Sequence, residues 1–347
     1  MNVIIVGDSI KQYMPYVNTY IDIISDENNL VILEWDRNND LGKNQFVYKD
    51  KKRRHKRSLI DYYRYVLFVK SHLKLNRYDM VIVCGIPVFL LLNKYLYRNY
   101  KNKYILDIRD YHKSIKFIDI KKTLKNGYLT VISSPGFKKW LPNSPKMIIN
   151  HNFQNKLLYP TNEKLEFSLK SKPTAISYIG VVRDLDVNLR LIESLNNNPN
   201  YVLNYHGDNP NFFEMNRLVS KLESYNVFIT GRYTQNNEYD FYKNSDLINI
   251  LLSDDINSIT LLPNRLYNAV YYCKPVITFS NSYVGDIVET YNLGLIISSF
   301  VDIDKQISTY IAFFDSKVYL EGRLRFLKKV HMENAFFQDT IKNYFLK

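Results

Sequence analysis

Short, almost wholly apolar runs recur along this chain, and between them lie stretches of helical length. That alternation limits the folds open to it. Asn2–Val6 (NVIIV), Leu30–Glu34, Met80–Cys84 (MVIVC), Lys103–Ile108 (KYILDI), Tyr128–Ser133 and Lys146–Asn150 read as strands, with helices over Pro15–Ile24 and from the MVIVC run through Leu96. Strands without a polar face must be covered on both sides, which is the condition of a parallel sheet with helices above and below. Right-handed crossovers then wind the sheet in both directions from its middle. The polar stretch Lys156–Pro173, with Pro160 and Pro173, interrupts the pattern. It restarts with strands at Ala175–Ile179, Tyr201–Tyr205, Val227–Thr230, Leu247–Leu252, Pro275–Phe279 and Gly294–Ile297, and helices over Asn188–Asn196 and Pro210–Ser224. Asp304–Phe314 and Ser316–Phe345 read as closing helices. The expectation is α/β architecture: two Rossmann-like, doubly wound domains over 1–155 and 174–325, a linker over 156–173, and ligands in an interdomain cleft at the carboxyl ends of the strands.

Charge is unevenly divided. Residues 1–156 carry 28 Lys and Arg against 13 Asp and Glu, whereas the rest of the chain holds 19 against 21. A basic half is thus joined to a nearly neutral one. Cys84 and Cys273 lie far apart in apolar surroundings, which fits a reducing compartment rather than a disulfide framework. The opening residues MNVIIVGDS lack the charged and long apolar regions of a signal peptide. The longest apolar run, Val81–Leu92, is broken by Pro87 and is too short to span a bilayer.

The stretch Asp254–Phe279 (DDINSITLLPNRLYNAVYYCKPVITF) is the most informative. Leu262-Pro263-Asn264 opens a helix running to Tyr272, with Asn264 as its cap, and Lys274-Pro275 ends it. Unpaired N–H groups and positive partial charge at such a terminus suit a diphosphate, and Arg265 in the first turn adds a fixed cation. Taken singly, Arg265 also fits a solvated helix position, and Gly180, Gly207 and Gly231 fit ordinary turns after strands. Asp184-Leu-Asp186 and Asp302-Ile-Asp304 mimic a metal-binding acidic pair, but each stands where aspartate caps a helix, so no metal site is assigned.

In order and spacing, these pieces resemble the GT-B glycosyltransferases, especially family 4-like enzymes of bacterial capsular and exopolysaccharide synthesis. Pro263-Asn264-Arg265-Leu266-Tyr267-Asn268-Ala269 followed by Cys273-Lys274-Pro275-Val276 stands for their Pro-Ser-Lys-like turn, helix and Gly-Lys-Pro-Val. Tyr178-Ile179-Gly180 with Arg183, Gly207-Asp208, and Phe228-Ile229-Thr230-Gly231-Arg232 follow the same order, as do Asp107-Ile108-Arg109-Asp110 and Asn150-His151-Asn152 in the first half. The resemblance implies a donor site for a nucleotide-diphosphate sugar made by Gly180, Arg183, Gly207, Gly231, Arg232, Thr260, Asn264, Arg265 and Asn268. It implies a metal-independent hexosyltransferase without a cofactor, and a terminal helix over 326–347 returning to the first domain. The chain departs from the family where two glutamates are usual, with Thr260 and Asn268 in their places. It departs again where an Arg and a Lys usually follow the first glycine, with Val181 and Asp186 there.

The first half should hold the acceptor. Asp110 occupies the place of the family's His-Asp pair and, with His112, is the candidate catalytic group, as a base or as a clamp on a hydroxyl. Asp8, after the first strand, and Arg109 are candidate acceptor contacts. Lys49–Arg57 (KDKKRRHKR) places seven basic residues in nine positions, ahead of a capping-box-like Ser58 and Asp61. Leu59, Tyr62, Tyr63, Val66, Leu67, Lys70 and Leu73 then recur at helical spacing. Lys51, Lys52, Arg53, Arg54, Lys56 and Arg57 are the candidate membrane contacts, each worth about 1 kcal/mol near anionic headgroups. No nucleic-acid-binding motif accompanies the charge, and the 30 tyrosines are scattered through both halves. The sequence therefore points to transfer of a sugar to a hydroxyl of a lipid-linked saccharide, by a cytoplasmic protein at the inner face of the cell membrane. The alternatives are a nucleotide-sugar epimerase on the same architecture and a non-catalytic protein that binds polyanions or membranes through residues 49–57.

Overall fold

The computed structural model describes residues 1–24, 28–38, 40–42, 44–50, 57–152, 173–208 and 212–345. Two compact units result: Met1–Asn155 with His331–Lys347, and Lys156–Val330. Apart from Pro173, the expected linker lies outside the described residues.

The first unit is built on seven parallel strands: β1 (Asn2–Val6), β2 (Asn29–Asp36), β3 (Val47–Lys49), β4 (Met80–Cys84), β5 (Tyr104–Ile108), β6 (Leu129–Ile132) and β7 (Met147–Ile149), in the order β3-β2-β1-β4-β5-β6-β7. Val3–Val6 and Met80–Cys84 are wholly buried, as their unbroken apolar character requires. The winding reverses between β1 and β4. At that switch the chain leaves β1 through Gly7 and Asp8, and leaves β4 through Gly85 into helix α3 (Ile86–Asn99). Strand β3 is an addition to the expected set; its three half-buried residues form no apolar run.

The second unit has six strands: β8 (Thr174–Ile179), β9 (Tyr201–His206), β10 (Val227–Gly231), β11 (Leu247–Asn249), β12 (Val276–Phe279) and β13 (Gly294–Ile297), in the order β10-β9-β8-β11-β12-β13, again all parallel. Ile176, Leu191, Ile192, Leu203, Leu247 and Ile277 belong to one apolar cluster. β11 stops at Asn249, earlier than expected, because the Asn249 side chain takes the N–H of Leu251 at 2.9 Å.

The long terminal helix, Ser316–Phe345, contributes to both units. Within the second, Arg323 donates to the carbonyls of Val270 (2.6 Å) and Tyr271 (2.9 Å), the last turn of helix α8 (Asn264–Tyr271). A cation there also meets the negative end of the helix dipole. Within the first unit, Phe337 and Ile341 are buried, and Phe337 stands edge-on to Tyr20 at 5.4 Å.

Candidate functional site

In the second unit, Gly180, Gly207 and Gly231 end the neighbouring strands β8, β9 and β10, each with positive φ. The N–H of Gly180 donates to His206 O and that of Gly207 to Gly231 O, both at 2.8 Å. A Cβ on Gly207 would sit 2.1 Å from the Gly180 carbonyl oxygen, so only glycine allows this approach. At Gly180 and Gly231 a Cβ would meet nothing within 4 Å, and the result is a row of bare backbone open to a ligand.

Beside this row stands Arg265. It is 8% exposed, its guanidinium lies 3.4 Å from the Tyr178 ring centroid, and its Nε is buried with no hydrogen-bond partner among the described residues. Pro263, not Asn264, caps α8; a proline offers no side-chain acceptor, so the first turn has no side-chain cap and the exposed Asn264 is its first residue. Asn268 is half-buried one turn on, whereas Arg183 and Arg232 are exposed. Thr260 departs from its expected role, since it is wholly buried and donates its hydroxyl to Ile256 O at 2.6 Å, an internal bond of its own turn.

The segment leading to α8 is fixed by a polar network with no recognisable signal in the sequence. Asp184 accepts from the Ser253 N–H (2.9 Å), Asn188 donates to the Asp184 carbonyl (2.6 Å), and Asn249 donates to Asn188 (3.1 Å). Asp184 is thus engaged across the switch between β8 and β11 rather than capping its own helix with its side chain. Nearby, His206 stacks on Phe241 at 3.9 Å and pairs with Thr230; burial lowers its pKa and favours the neutral ring.

In the first unit, Asp8 lies against Gly85: a Cβ there would be 2.8 Å from Asp8 Oδ2. Burial pushes the Asp8 pKa up, Arg37 works against this, and Asp110 and Asp107 add to the rise. Asp110 is exposed. His112 is exposed and caps a 3-10 turn, with Nδ1 accepting from the Ser114 N–H at 3.1 Å. Partial desolvation of the ring lowers its pKa and favours the neutral form. With Nδ1 accepting, the proton of that form sits on Nε2, which can donate to a hydroxyl oxygen but not take its proton.

Arg109, expected at the acceptor, is instead held by buried Asp107, with Nε–Oδ1 and Nη2–Oδ2 both 2.6 Å. It also donates to Asn150 O at 2.9 Å, and Tyr20 completes the cluster by donating to Asp107 at 2.7 Å. The charge at the strand end is thus taken up by the buried carboxylate two residues earlier and by the Asn150 carbonyl. Arg57 is corrected similarly. Its side chain is buried against Asp50 at 2.7 Å and donates to Arg37 O at 2.8 Å, so it does not face a membrane. Lys51, Lys52, Arg53, Arg54 and Lys56 lie outside the described residues. The capping box of α2 (Leu59–Leu75) is present, with Ser58 and Asp61 bonded reciprocally.

Solved structures align with this chain over nearly its whole length. Sucrose-phosphate synthase from Thermosynechococcus elongatus matches with TM-score 0.73 and 11% identity over 100% of this chain and 99% of that one. HepE from Anabaena, in complex with UDP and glucose, matches with TM-score 0.69 and 12% identity over 99% and 100%. WaaG, a glycosyltransferase involved in lipopolysaccharide biosynthesis, matches with TM-score 0.65 and 12% identity over 98% and 99%. The chain has the GT-B fold. No protein-family model matches it, and no curated protein matches it in sequence. Within the GT-B fold, the glycine row and Arg265 belong to the C-terminal unit, and Asp8, Asp110 and His112 to the N-terminal one.

Proposed function

We propose that the protein is a glycosyltransferase that moves a sugar from a nucleotide-diphosphate donor to a hydroxyl of a lipid-linked saccharide in surface-polysaccharide synthesis. The observation that carries the reading is Arg265. Its buried Nε has no partner among the described residues, and it lies on Tyr178 at the open first turn of α8, beside three strand-end glycines. Such a site offers a diphosphate a fixed cation and free backbone N–H groups without a metal ion. The HepE structures with UDP and glucose and with UDP-glucose add weight to a nucleotide-sugar donor. Asp110 would take the acceptor proton or hold its hydroxyl, the Nε2–H of neutral His112 would donate to that hydroxyl's oxygen, and Asp8 would position the acceptor.

The membrane part of the reading is supported by α2. Leu59 (71% exposed), Ile60 (63%), Tyr63 (52%) and Leu67 (48%) form an outward stripe that Lys70 and Lys74 continue at the same spacing. An apolar stripe that follows the basic residues 51–56 in sequence suits peripheral binding at an anionic cytoplasmic surface. No described helix is long and apolar enough to cross a membrane.

Calorimetry with UDP and a panel of nucleotide sugars tests the donor reading. Binding should weaken by about 1.5–3 kcal/mol in Arg265→Ala, the range for a charged hydrogen bond. No binding at millimolar concentration, or unchanged affinity in the variant, would remove the diphosphate site. Among binders, release of the donor sugar marks a transferase, and its interconversion an epimerase.

A further inference from the structure

Arg37 follows β2, at the carboxyl end of the first unit's sheet. Its guanidinium carbon lies 4.3 Å from the Trp35 ring centroid and 5.6 Å from that of Tyr62. Aromatic rings satisfy the faces of a guanidinium but not its N–H edge. Nε and Nη2, the two nitrogens of the side-on edge, are buried and have no hydrogen-bond partner among the described residues. Buried donors are rarely left so, because each forfeits its bonds to water.

The loop holding Arg37 is well anchored. The Asp36 carboxylate accepts N–H bonds from Asn38 (3.3 Å), Asp40 (3.0 Å) and Leu41 (3.0 Å). The Arg37 carbonyl accepts from Arg57, itself paired with Asp50. A side chain fixed in this way can present its edge with little further ordering. β2 lies beside β1, and the Trp35 N–H donates to Ser9 O at 3.3 Å, so Arg37 stands near the switch point between β1 and β4, where Asp8 sits against Gly85. In doubly wound sheets that is where ligands enter.

We propose that Arg37 grips a carboxylate or phosphate ester of an acidic saccharide at the carboxyl end of the first sheet, while Asp8 accepts a hydrogen bond from a hydroxyl of the same molecule. Two parallel N–H groups match two oxygens of either anion, and a lone sugar hydroxyl would leave one of them unpaired. The proposal rests on the first unit's being the acceptor side, and makes the acceptor acidic.

The test is calorimetry on the full chain at physiological ionic strength with methyl glucuronide, glucose 6-phosphate and neutral methyl glucoside, and UDP titrated separately. At least one acidic sugar should bind about tenfold or more tightly than the glucoside. Arg37→Gln should abolish the preference, and so should Arg37→Lys, which keeps the charge but loses the fork. UDP affinity should be unchanged in both, which also shows that they fold. Preference for the glucuronide assigns a carboxylate, and preference for the phosphate sugar assigns a phosphate ester. Equal binding of the glucoside, no binding of any sugar at millimolar concentration, or a preference that survives both substitutions overturns the inference. A preference that depends on Arg37 without UDP binding leaves this inference standing and fails the nucleotide-sugar reading.

Discussion

Asp36 shows how one side chain fixes a loop. Burial works to raise its pKa, but three backbone N–H bonds outweigh this and hold the carboxyl below its ordinary value of 3.8. A depressed carboxylate stabilises the fold at pH above its unfolded value, and that stabilisation is lost as pH falls through its folded value. Asp36→Asn should therefore cost about 1–3 kcal/mol at pH 7. Its stability difference from wild type should shrink below about pH 4, as followed by urea denaturation across pH. The glycines separate in the same assay. Gly207→Ala forces a Cβ to within 2.1 Å of a backbone oxygen and should cost about 2–4 kcal/mol, whereas Gly231→Ala meets open space and bears mainly the cost of φ +73°, about 1–2 kcal/mol. Equal losses would mean that the strand ends are not packed as described. Gly207 is legible in the sequence as a strand-end glycine. Its reason is not, because the atom it avoids belongs to a strand 27 residues away (Gly180).

At the scale of the element, α2 carries two apolar stripes that its sequence merges into one. Tyr65, Val66, Val69 and Leu73 face the core, while Leu59, Ile60, Tyr63 and Leu67 do not. Helical periodicity places residues around an axis but not the axis relative to the sheet, and only packing separates the two stripes. Replacing Leu59, Ile60, Tyr63 and Leu67 with glutamine should leave the melting temperature within a few degrees. It should lower binding to vesicles rich in anionic lipid by about tenfold or more. Unaltered vesicle binding in this variant would dissociate α2 from the membrane. Most strands and helices begin or end within a few residues of where their apolar runs do, because a fully buried strand must be apolar along its length. β3 escapes this logic because it is short and only half-buried.

At the scale of the whole molecule, the first unit is completed by residues from the far end of the chain. Phe337 and Ile341 share its apolar cluster with Val3, Ile5, Tyr20 and Ile82. His151 reaches Glu333 at 2.7 Å, and the His151 N–H donates to Asn334 at 3.2 Å. Phe337→Ala should cost about 3–5 kcal/mol, the range for removing a buried aromatic ring, and calorimetric melting will measure it. A loss below about 1 kcal/mol would show the terminal helix to be dispensable to that core.

The sequence by itself determined the fold class and the places where a ligand would be sought. Apolar runs, turn glycines and the Pro263-Asn264-Arg265 turn are local signals, read within a few residues of one another. Tertiary structure decided what each charged residue there is paired with. Arg109, which lies over the Tyr16 ring, and Arg57 are paired with Asp107 and Asp50, while Arg37 and Arg265 lie over rings and have buried N–H groups with no acceptor among the described residues. In the sequence these four arginines are alike. A guanidinium takes its role from the acceptors and rings around it, and for Arg265 the decisive ring, Tyr178, comes from a strand far away in the chain.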